Sequence, residues 1–169
     1  MVDISSFRDG MARLASAVNV ITTDGPEGLA GFTATAVSSV TDQPPTLLVC
    51  MNRSSFTHPI FTSNRVLCVN VLSDAQQEVS ALFANRNATL QQRFAQVGWS
   101  RLATGCPAID GAMVSFDCRI TETHEAGSHS IFLCEVVALR QSDSGAGLVY
   151  FNRGYHGVGV PCAVAAAAT

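Results

Sequence analysis

Residues Gly31–Ser55 read GFTATAVSSVTDQPPTLLVCMNRSS, two β-prone runs on either side of Pro44-Pro45. The stretch is rich in hydroxyl groups, almost free of charge, and ends in the tetrad Asn52-Arg53-Ser54-Ser55. Many uncharged hydrogen-bonding groups beside one arginine suit a flat polar ligand that carries a phosphate. The stretch therefore predicts a β-rich fold that binds such a ligand.

Composition limits the classes to which the chain can belong. Its 169 residues predict one domain, ordered from about residue 5 to about residue 158 and followed by a frayed tail. The net charge of −3, with arginine as every basic residue, predicts no nucleic-acid partner. We expect no membrane span, no signal peptide and, because the six cysteines form no CxxC pair, no metal site but reduced thiols in a cytoplasmic protein. A hydrophobic content of 47% with 14% charged residues indicates a homodimer.

Hydrophobic periodicity predicts mostly strands. They are expected at Ala17–Thr23, Leu29–Ser38, Thr46–Met51, Val66–Leu72, Val114–Thr121 and Ile131–Leu139. The turn residues Asp24–Gly28 are expected to join the first two strands into an antiparallel hairpin. Helices are expected at Phe7–Leu14, capped by Ser5 or Ser6 and packed on the core, after Ser54-Ser55 from Phe56 onward, and behind the capping boxes Ser73/Gln76 and Thr89/Gln92.

The last two of these strands bear on the architecture. Val114–Thr121 alternates apolar and polar residues, which predicts one dry face and one polar face. Ile131–Leu139 is apolar on both faces, which predicts a core contact on one face and a subunit contact on the other. Many strands with short gaps and no GxGxxG motif predict a mainly β fold, a closed or nearly closed antiparallel barrel with a few short flanking helices.

Two clusters are candidates for ligand binding. Asn52–Ser55 precedes a predicted helix, so the N–H groups of its first turn would face a phosphate; alternatively, Ser54 or Ser55 only caps the helix and Arg53 is solvated. A second cluster would let a ring such as a flavin isoalloxazine approach the backbone, although hydroxyl residues also favour strands for their β propensity alone. Its members are Thr33, Ala34, Thr35, Ser38 and Ser39.

Two later segments are candidates for contacts with a second ring. His129 follows Gly127-Ser128 just before an apolar strand, where it could lie at the mouth of the barrel or be an ordinary surface histidine. The run Tyr150–His156 contains Phe151, Arg153 and Tyr155, and could close over a ring or pack its aromatics on a partner.

With these residues in view, the chain resembles the short-chain flavin reductases. It is most similar to the NAD(P)H:flavin reductase components of two-component aromatic monooxygenases such as 4-hydroxyphenylacetate 3-monooxygenase, and also to the flavin reductase of pyrimidine degradation. The resemblance runs from about Phe7 to about His156. It rests on FRDGMARLASAVNVITTDG, the Gly31–Ser55 stretch, LCVNVL, the Gly-x-His triplet and YFNRGYH, in that order.

The resemblance implies an FMN-binding type of split barrel, a homodimer with flavin near its interface. It implies that Thr33–Ser39 borders the isoalloxazine, that Asn52–Ser55 holds the ribityl and phosphate groups, and that Phe83, Ala84 and Asn85 lie along the flavin. It implies further that Phe151 and Arg153 line the pocket and that His129, with Tyr155, contacts the nicotinamide. Because the chain has no lysine, Arg53 and Arg86 are the cations expected near the phosphate.

The predicted activity is transfer of hydride from NADH or NADPH to FAD or FMN, with reduced flavin passing to a partner monooxygenase and with no obligatory protein acid or base. Two other interpretations stay open. One is a split-barrel flavoprotein oxidase that retains its flavin, and the other is a non-catalytic module that binds flavin or haem.

Overall fold

The computed structural model describes residues 1–143 and 145–159. The tail predicted to be frayed, from residue 160 onward, and Cys162 lie outside the described residues. The helices are α1 Ile4–Met11, α2 His58–Asn64, α3 Gln77–Ala84 and α4 Leu90–Ala95, with a 3-10 turn Asp74–Gln76 before α3. The strands are β1 Ser16–Ala17, β2 Asn19–Thr23, β3 Ala30–Ala34, β4 Val37–Asp42, β5 Pro45–Asn52, β6 Val66–Val71, β7 Trp99–Arg101, β8 Pro107–Ile109, β9 Val114–Ala126, β10 His129–Gln141, β11 Gly147–Phe151 and β12 Gly154–Val158.

Seven of the strands form one antiparallel sheet in the order β3-β2-β6-β9-β10-β5-β4. The predicted Leu29–Ser38 strand is interrupted at Thr35-Ala36, so its two halves become β3 and β4, the opposite edges of this sheet. Smaller sheets are β1-β11-β12 and β7-β8. The prediction of a mainly β antiparallel fold with a few short helices is confirmed, and the β2–β3 pairing confirms the predicted hairpin.

Two hydrophobic clusters lie on either side of β2. Ile21 packs among residues of other large-sheet strands, including Val49 and Phe132, and against Phe61 of α2. The neighbouring positions Val18 and Val20 pack instead with residues of α3, α4 and the small sheets, chiefly Leu72, Phe83, Phe94, Ile109 and Leu148. All five residues of β2 are buried, because the sheet covers one face of the strand and the helices and β11 cover the other.

The predicted polar face of β9 is wrong in its first half. Ser115 and Asp117 are both buried, with exposures of 1% and 0%. Ser115 donates a hydrogen bond to the side-chain oxygen of Asn70 at 2.8 Å, and the Thr104 backbone N–H donates to Asp117 at 2.7 Å. Buried polar groups are tolerated where they find partners, so an alternating sequence here marks an internal hydrogen-bond network.

The cysteines behave as the sequence predicted within the described residues. Cys50, Cys68, Cys106, Cys118 and Cys134 are all free thiols, and all but Cys50 are buried. Burial raises the pKa of the Cys134 thiol to about 12, because desolvation penalises the thiolate. These thiols therefore remain protonated and unreactive at neutral pH.

Two helix predictions need correction, while both capping boxes are confirmed. Helix α1 begins at Ile4, because the carboxylate of Asp3 accepts the Ser6 backbone N–H at 2.9 Å, so neither Ser5 nor Ser6 is the cap. None of its residues is buried, and Phe7 is 60% exposed, so α1 does not pack on the core. The helix predicted from Phe56 begins instead at His58. Among the described residues, no helix is long and apolar enough to cross a bilayer.

Candidate functional site

The main candidate site is a cavity of about 410 Å³, called here the main pocket. It lies between the end of β5, the strand β3 and the segment that joins α3 to α4. Its lining is Phe32, Thr33, Met51, Asn52, Ser54, Ser55, Phe56, Thr57, Phe83, Ala84, Arg86 and Arg93. Aromatic rings, uncharged hydrogen-bonding groups and two arginines therefore meet in one cavity whose lining includes no carboxylate.

The Asn52–Ser55 segment is a turn that holds its own polar groups in place. The Asn52 side-chain oxygen accepts from the Ser54 backbone N–H at 2.9 Å and from the Ser54 hydroxyl at 2.8 Å. The Ser55 hydroxyl lies 3.0 Å from that of Thr57. Because α2 begins only at His58, the expectation that these residues form the first turn of a helix is wrong.

Arg53 does not line the main pocket. Its guanidinium forms an ion pair with Glu125 at 2.6 Å and also donates to the Gly127 carbonyl. Both partners belong to the β9–β10 hairpin, which the Arg53 backbone N–H also contacts through Ser128. Arg53, which the sequence suggested for binding a phosphate, is thus engaged in contacts with the β9–β10 hairpin.

Thr33 connects the main pocket to a second cavity of about 250 Å³, called the tyrosine cleft. The cleft is lined by Val18, Thr33, Ala34, Thr35, Ser80, Tyr150 and Tyr155. The Thr33 hydroxyl donates to the Ser80 carbonyl at 2.7 Å, and the Ser80 hydroxyl lies 2.9 Å from that of Tyr155. The first three residues of the predicted ring-binding cluster, with Tyr155, are therefore brought next to the main pocket.

Other predicted residues lie elsewhere. Ser38 and Ser39, on β4, line a separate and mostly apolar groove of about 330 Å³. Arg153 forms an ion pair with Asp9 and lines a further cavity beside α1. Phe151 is 40% exposed at the end of β11, outside the lining of the main pocket.

His129 and Asn85 lie beside the main pocket without lining it. His129 is the first residue of β10, and it pairs with Asn52 across the β5–β10 ladder. Paired residues of antiparallel strands are about 5 Å apart, so this exposed imidazole borders the main pocket. Asn85 follows Ala84 at the end of α3, and its carbonyl accepts from Arg93.

The wall formed by Phe83 depends on a close approach to Gly31. A Cβ atom at Gly31 would lie 2.7 and 2.9 Å from two atoms of the Phe83 ring and 3.2 Å from the Ile21 carbonyl oxygen. The ring is held from the other side by Phe94, with centroids 5.1 Å apart. The absence of a side chain at Gly31 therefore sets where the pocket wall stands.

Sequence reasoning missed several residues of the main pocket. Phe32, Met51, Phe56 and Thr57 flank predicted site residues and could have been found by extending those segments along the chain. Arg93 could not, because an arginine in a short polar helix looks like a solvated one. It is only 2% exposed, and burial lowers the pKa of its guanidinium, which still remains charged at neutral pH.

Comparison with known proteins assigns the chain to a family. Residues 11–159 match the model of the flavin reductase like domain. The chain belongs to this family. The resemblance to flavin reductases expected from the motifs is thereby confirmed, and the matched residues include the linings of the main pocket and the tyrosine cleft.

Individual flavin reductases are similar over nearly their whole length. The chain is 59% identical over 152 residues to the FMN reductase (NADH) RutF of Stutzerimonas stutzeri, covering 90% of this chain and 87% of that relative. The structure of BorF, the flavin reductase component of a bacterial two-component tryptophan halogenase, matches with a TM-score of 0.87 at 32% identity, covering 94% of this chain and 99% of BorF. The NADH:FAD oxidoreductase SgcE6 of Streptomyces globisporus, in complex with NAD and FAD fragments, matches with a TM-score of 0.86 at 28% identity, covering 96% and 98%.

Substitution of Gly31 tests the construction of the pocket wall. We expect Gly31→Ala to lower the free energy of unfolding by about 1–3 kcal/mol, because the new methyl group overpacks the Phe83 ring. Urea denaturation followed by circular dichroism measures the change. Gly10→Ala is the matched control, because a Cβ there has no atom within 4 Å and Gly10 lies within α1. Equal stability of the two variants would contradict the close approach.

Proposed function

We propose that this protein is an NADH:flavin oxidoreductase that reduces FMN. The observation that carries the proposal is the main pocket, which combines aromatic walls, uncharged polar groups and arginines in about 410 Å³ within a flavin reductase like domain. This volume is in the usual range for small-molecule sites. The choice of FMN and NADH follows the name of the 59% identical relative.

When bound, a flavin supplies a ring that accepts hydride from a reduced nicotinamide. The contribution of the chain is to position the two rings, because no acid or base is required and correct placement alone can account for much of a rate enhancement. The Phe83-Ala84 wall and Thr33 would flank one ring. The Ser55 hydroxyl of the Asn52–Ser55 turn, 3.0 Å from that of Thr57, would hold the polar substituent that leads away from it.

The nicotinamide would approach between His129 and Tyr155. These residues border the main pocket on different sides, His129 next to Asn52 and Tyr155 across the tyrosine cleft from Thr33. Both side chains are exposed and available to a second substrate. The arrangement supports the proposal that the hydride donor enters the main pocket between these two side chains.

We also propose the assembly that the resemblance implies. The two edge strands β3 and β4 are joined directly by Thr35-Ala36, which supports a split barrel. Exposed apolar residues on α1, just after it and on β10, among them Phe7, Leu14 and Leu139, support a homodimer. In the proposed dimer these surfaces are covered by a second copy.

We propose that reduced flavin diffuses to a separate monooxygenase component. Support comes from two similar structures, BorF, the flavin reductase component of a two-component tryptophan halogenase, and the styrene monooxygenase flavin reductase of Pseudomonas putida. The free cysteines of the described residues support a reducing, cytoplasmic setting. The partner enzyme would recognise the released flavin rather than the surface of this protein.

The proposed activity predicts FMN-dependent oxidation of NADH. Purified protein mixed with FMN and NADH should deplete absorbance at the NADH band, and FAD and NADPH tested in parallel define the preference. Absence of oxidation with every flavin and nicotinamide pair would contradict the proposal. Flavin that survives gel filtration with slow turnover of added flavin would favour a retained-flavin oxidase instead.

Two single substitutions should separate the two substrates. Ser55→Ala removes a polar group from the main pocket and should raise the KM for FMN about 2- to 10-fold, the range of one hydrogen bond, with little change for NADH. His129→Ala should do the opposite. Steady-state kinetics with each substrate varied measures both effects. If the two variants affect FMN and NADH alike, the assignment of the two sides is wrong.

The proposed homodimer predicts a measurable mass. Sedimentation equilibrium should give twice the 17.8 kDa of one chain. Leu14→Glu places a charge on the exposed apolar surface just after α1 and should shift the equilibrium towards monomer, whereas Val40→Glu, on the edge strand β4, is a comparison at a second exposed position. A wild-type protein that sediments as a monomer at micromolar concentration would contradict the assembly.

A further inference from the structure

Arg93 is a buried charge without a counter-ion. Its guanidinium donates to the Gly31 carbonyl at 2.8 Å and to the Asn85 carbonyl at 2.6 Å, and both acceptors are neutral. No carboxylate of residues 1–143 and 145–159 forms an ion pair with it. Its Nε atom is buried without a hydrogen-bond partner. Arg93 also belongs to the lining of the main pocket.

This arrangement is unfavourable for the protein taken alone. An ionised group removed from water loses its hydration, and only pairing with an opposite charge restores most of that loss. Arg53, Arg101, Arg140 and Arg153 each have a carboxylate partner and are not buried. Among the described residues, Arg93 is the arginine that is buried and has no carboxylate partner. This combination points to a ligand that brings the negative charge.

The surroundings of Arg93 strengthen the positive potential of the main pocket. Arg86, on the same α3–α4 segment, is exposed at the pocket and has no hydrogen bond or ion pair within the described chain. The ring of Phe56 lies over the Arg93 guanidinium, with the Cζ atom 5.6 Å from the ring centroid, and is 58% exposed. The exposed Phe56 ring covers the Arg93 guanidinium, so a small movement of this ring would let an anion of the ligand approach the guanidinium more closely.

We propose that Arg93, assisted by Arg86, makes the main pocket selective for a phosphorylated flavin over riboflavin. The inference rests on the proposed function and deepens it. The Arg93 guanidinium is buried in the pocket lining beneath the Phe56 ring. Low polarity and exclusion of water leave its charge weakly screened there. The inference assigns recognition of the phosphate to the α3–α4 side of the pocket, where the sequence had offered Arg86, and not to Arg53 on the β5 side.

Binding of FMN and riboflavin, followed by quenching of flavin fluorescence, tests the inference without turnover. Wild-type protein should bind FMN at least about 10-fold more tightly than riboflavin. Arg93→Gln should abolish most of the preference while changing riboflavin binding less than FMN binding. Arg93→Lys keeps the charge and should keep most of the preference. Arg101→Gln, which removes an equal charge from a surface ion pair with Asp24, is the matched control.

Several results would overturn the inference. One is an equal loss of FMN and riboflavin binding in both Arg93→Gln and Arg93→Lys, which would mean that Arg93 has only a structural role. Another is an unchanged ratio of FMN to riboflavin binding in Arg93→Gln. A third is loss of the preference for FMN in Arg53→Gln instead of Arg93→Gln. If Arg93→Gln does not fold, as circular dichroism would reveal, the ratio of FMN to riboflavin binding in Arg93→Lys decides. Wild-type protein that binds riboflavin and FMN equally overturns the inference alone, whereas binding of neither flavin overturns the proposed function as well.

Discussion

Strand β2 must be buried on both faces, and the rest of the fold follows from this constraint. Ile21 faces the cluster formed by the large sheet, while Val18 and Val20 face the cluster formed by α3, α4 and β11. A strand with two dry faces cannot form the outer layer of a domain, so a second layer must pack on it. The helices between β6 and β7 supply that layer, and α3 contacts both β2 and β3.

The main pocket is a consequence of how closely this second layer packs. Helix α3 contributes Phe83, whose ring rests on the backbone at Gly31, and α4 contributes Arg93, whose guanidinium binds the carbonyl of the same glycine. Gly31 of β3 thus contacts both the Phe83 ring, which forms a wall of the pocket, and the buried guanidinium of Arg93. The polar turn after β5 forms the opposite side, so hydrophobic contacts that stabilise the fold also set the distance across the site.

Polar residues inside the molecule show how the sequence can mislead. Ser115 and Asp117 alternate with apolar residues on β9, which is the pattern of a solvated face, yet they are buried next to Asn70 and Thr104. Periodicity reports which residues share a face, but it does not report whether another segment covers that face. Here the segment around β8 does so, and the Asn70 side-chain oxygen accepts the Ile109 backbone N–H at 2.8 Å.

The resemblance to flavin reductases placed Phe83-Ala84 at the site, whereas local sequence by itself determined the strand and turn pattern, both capping boxes, the Asn52–Ser55 turn as a polar element, and Thr33 as a site candidate. Such features depend on neighbours within a few residues, which the sequence displays directly. Only the tertiary structure decided that Arg53 pairs with Glu125, that Ser38 and Ser39 lie in another groove, and that Arg93 is buried at the pocket. The positions of Arg53 and Arg93 depend on contacts between residues 72 and 62 positions apart, Arg53 with Glu125 and Arg93 with Gly31, and chain order alone does not encode which distant surfaces meet.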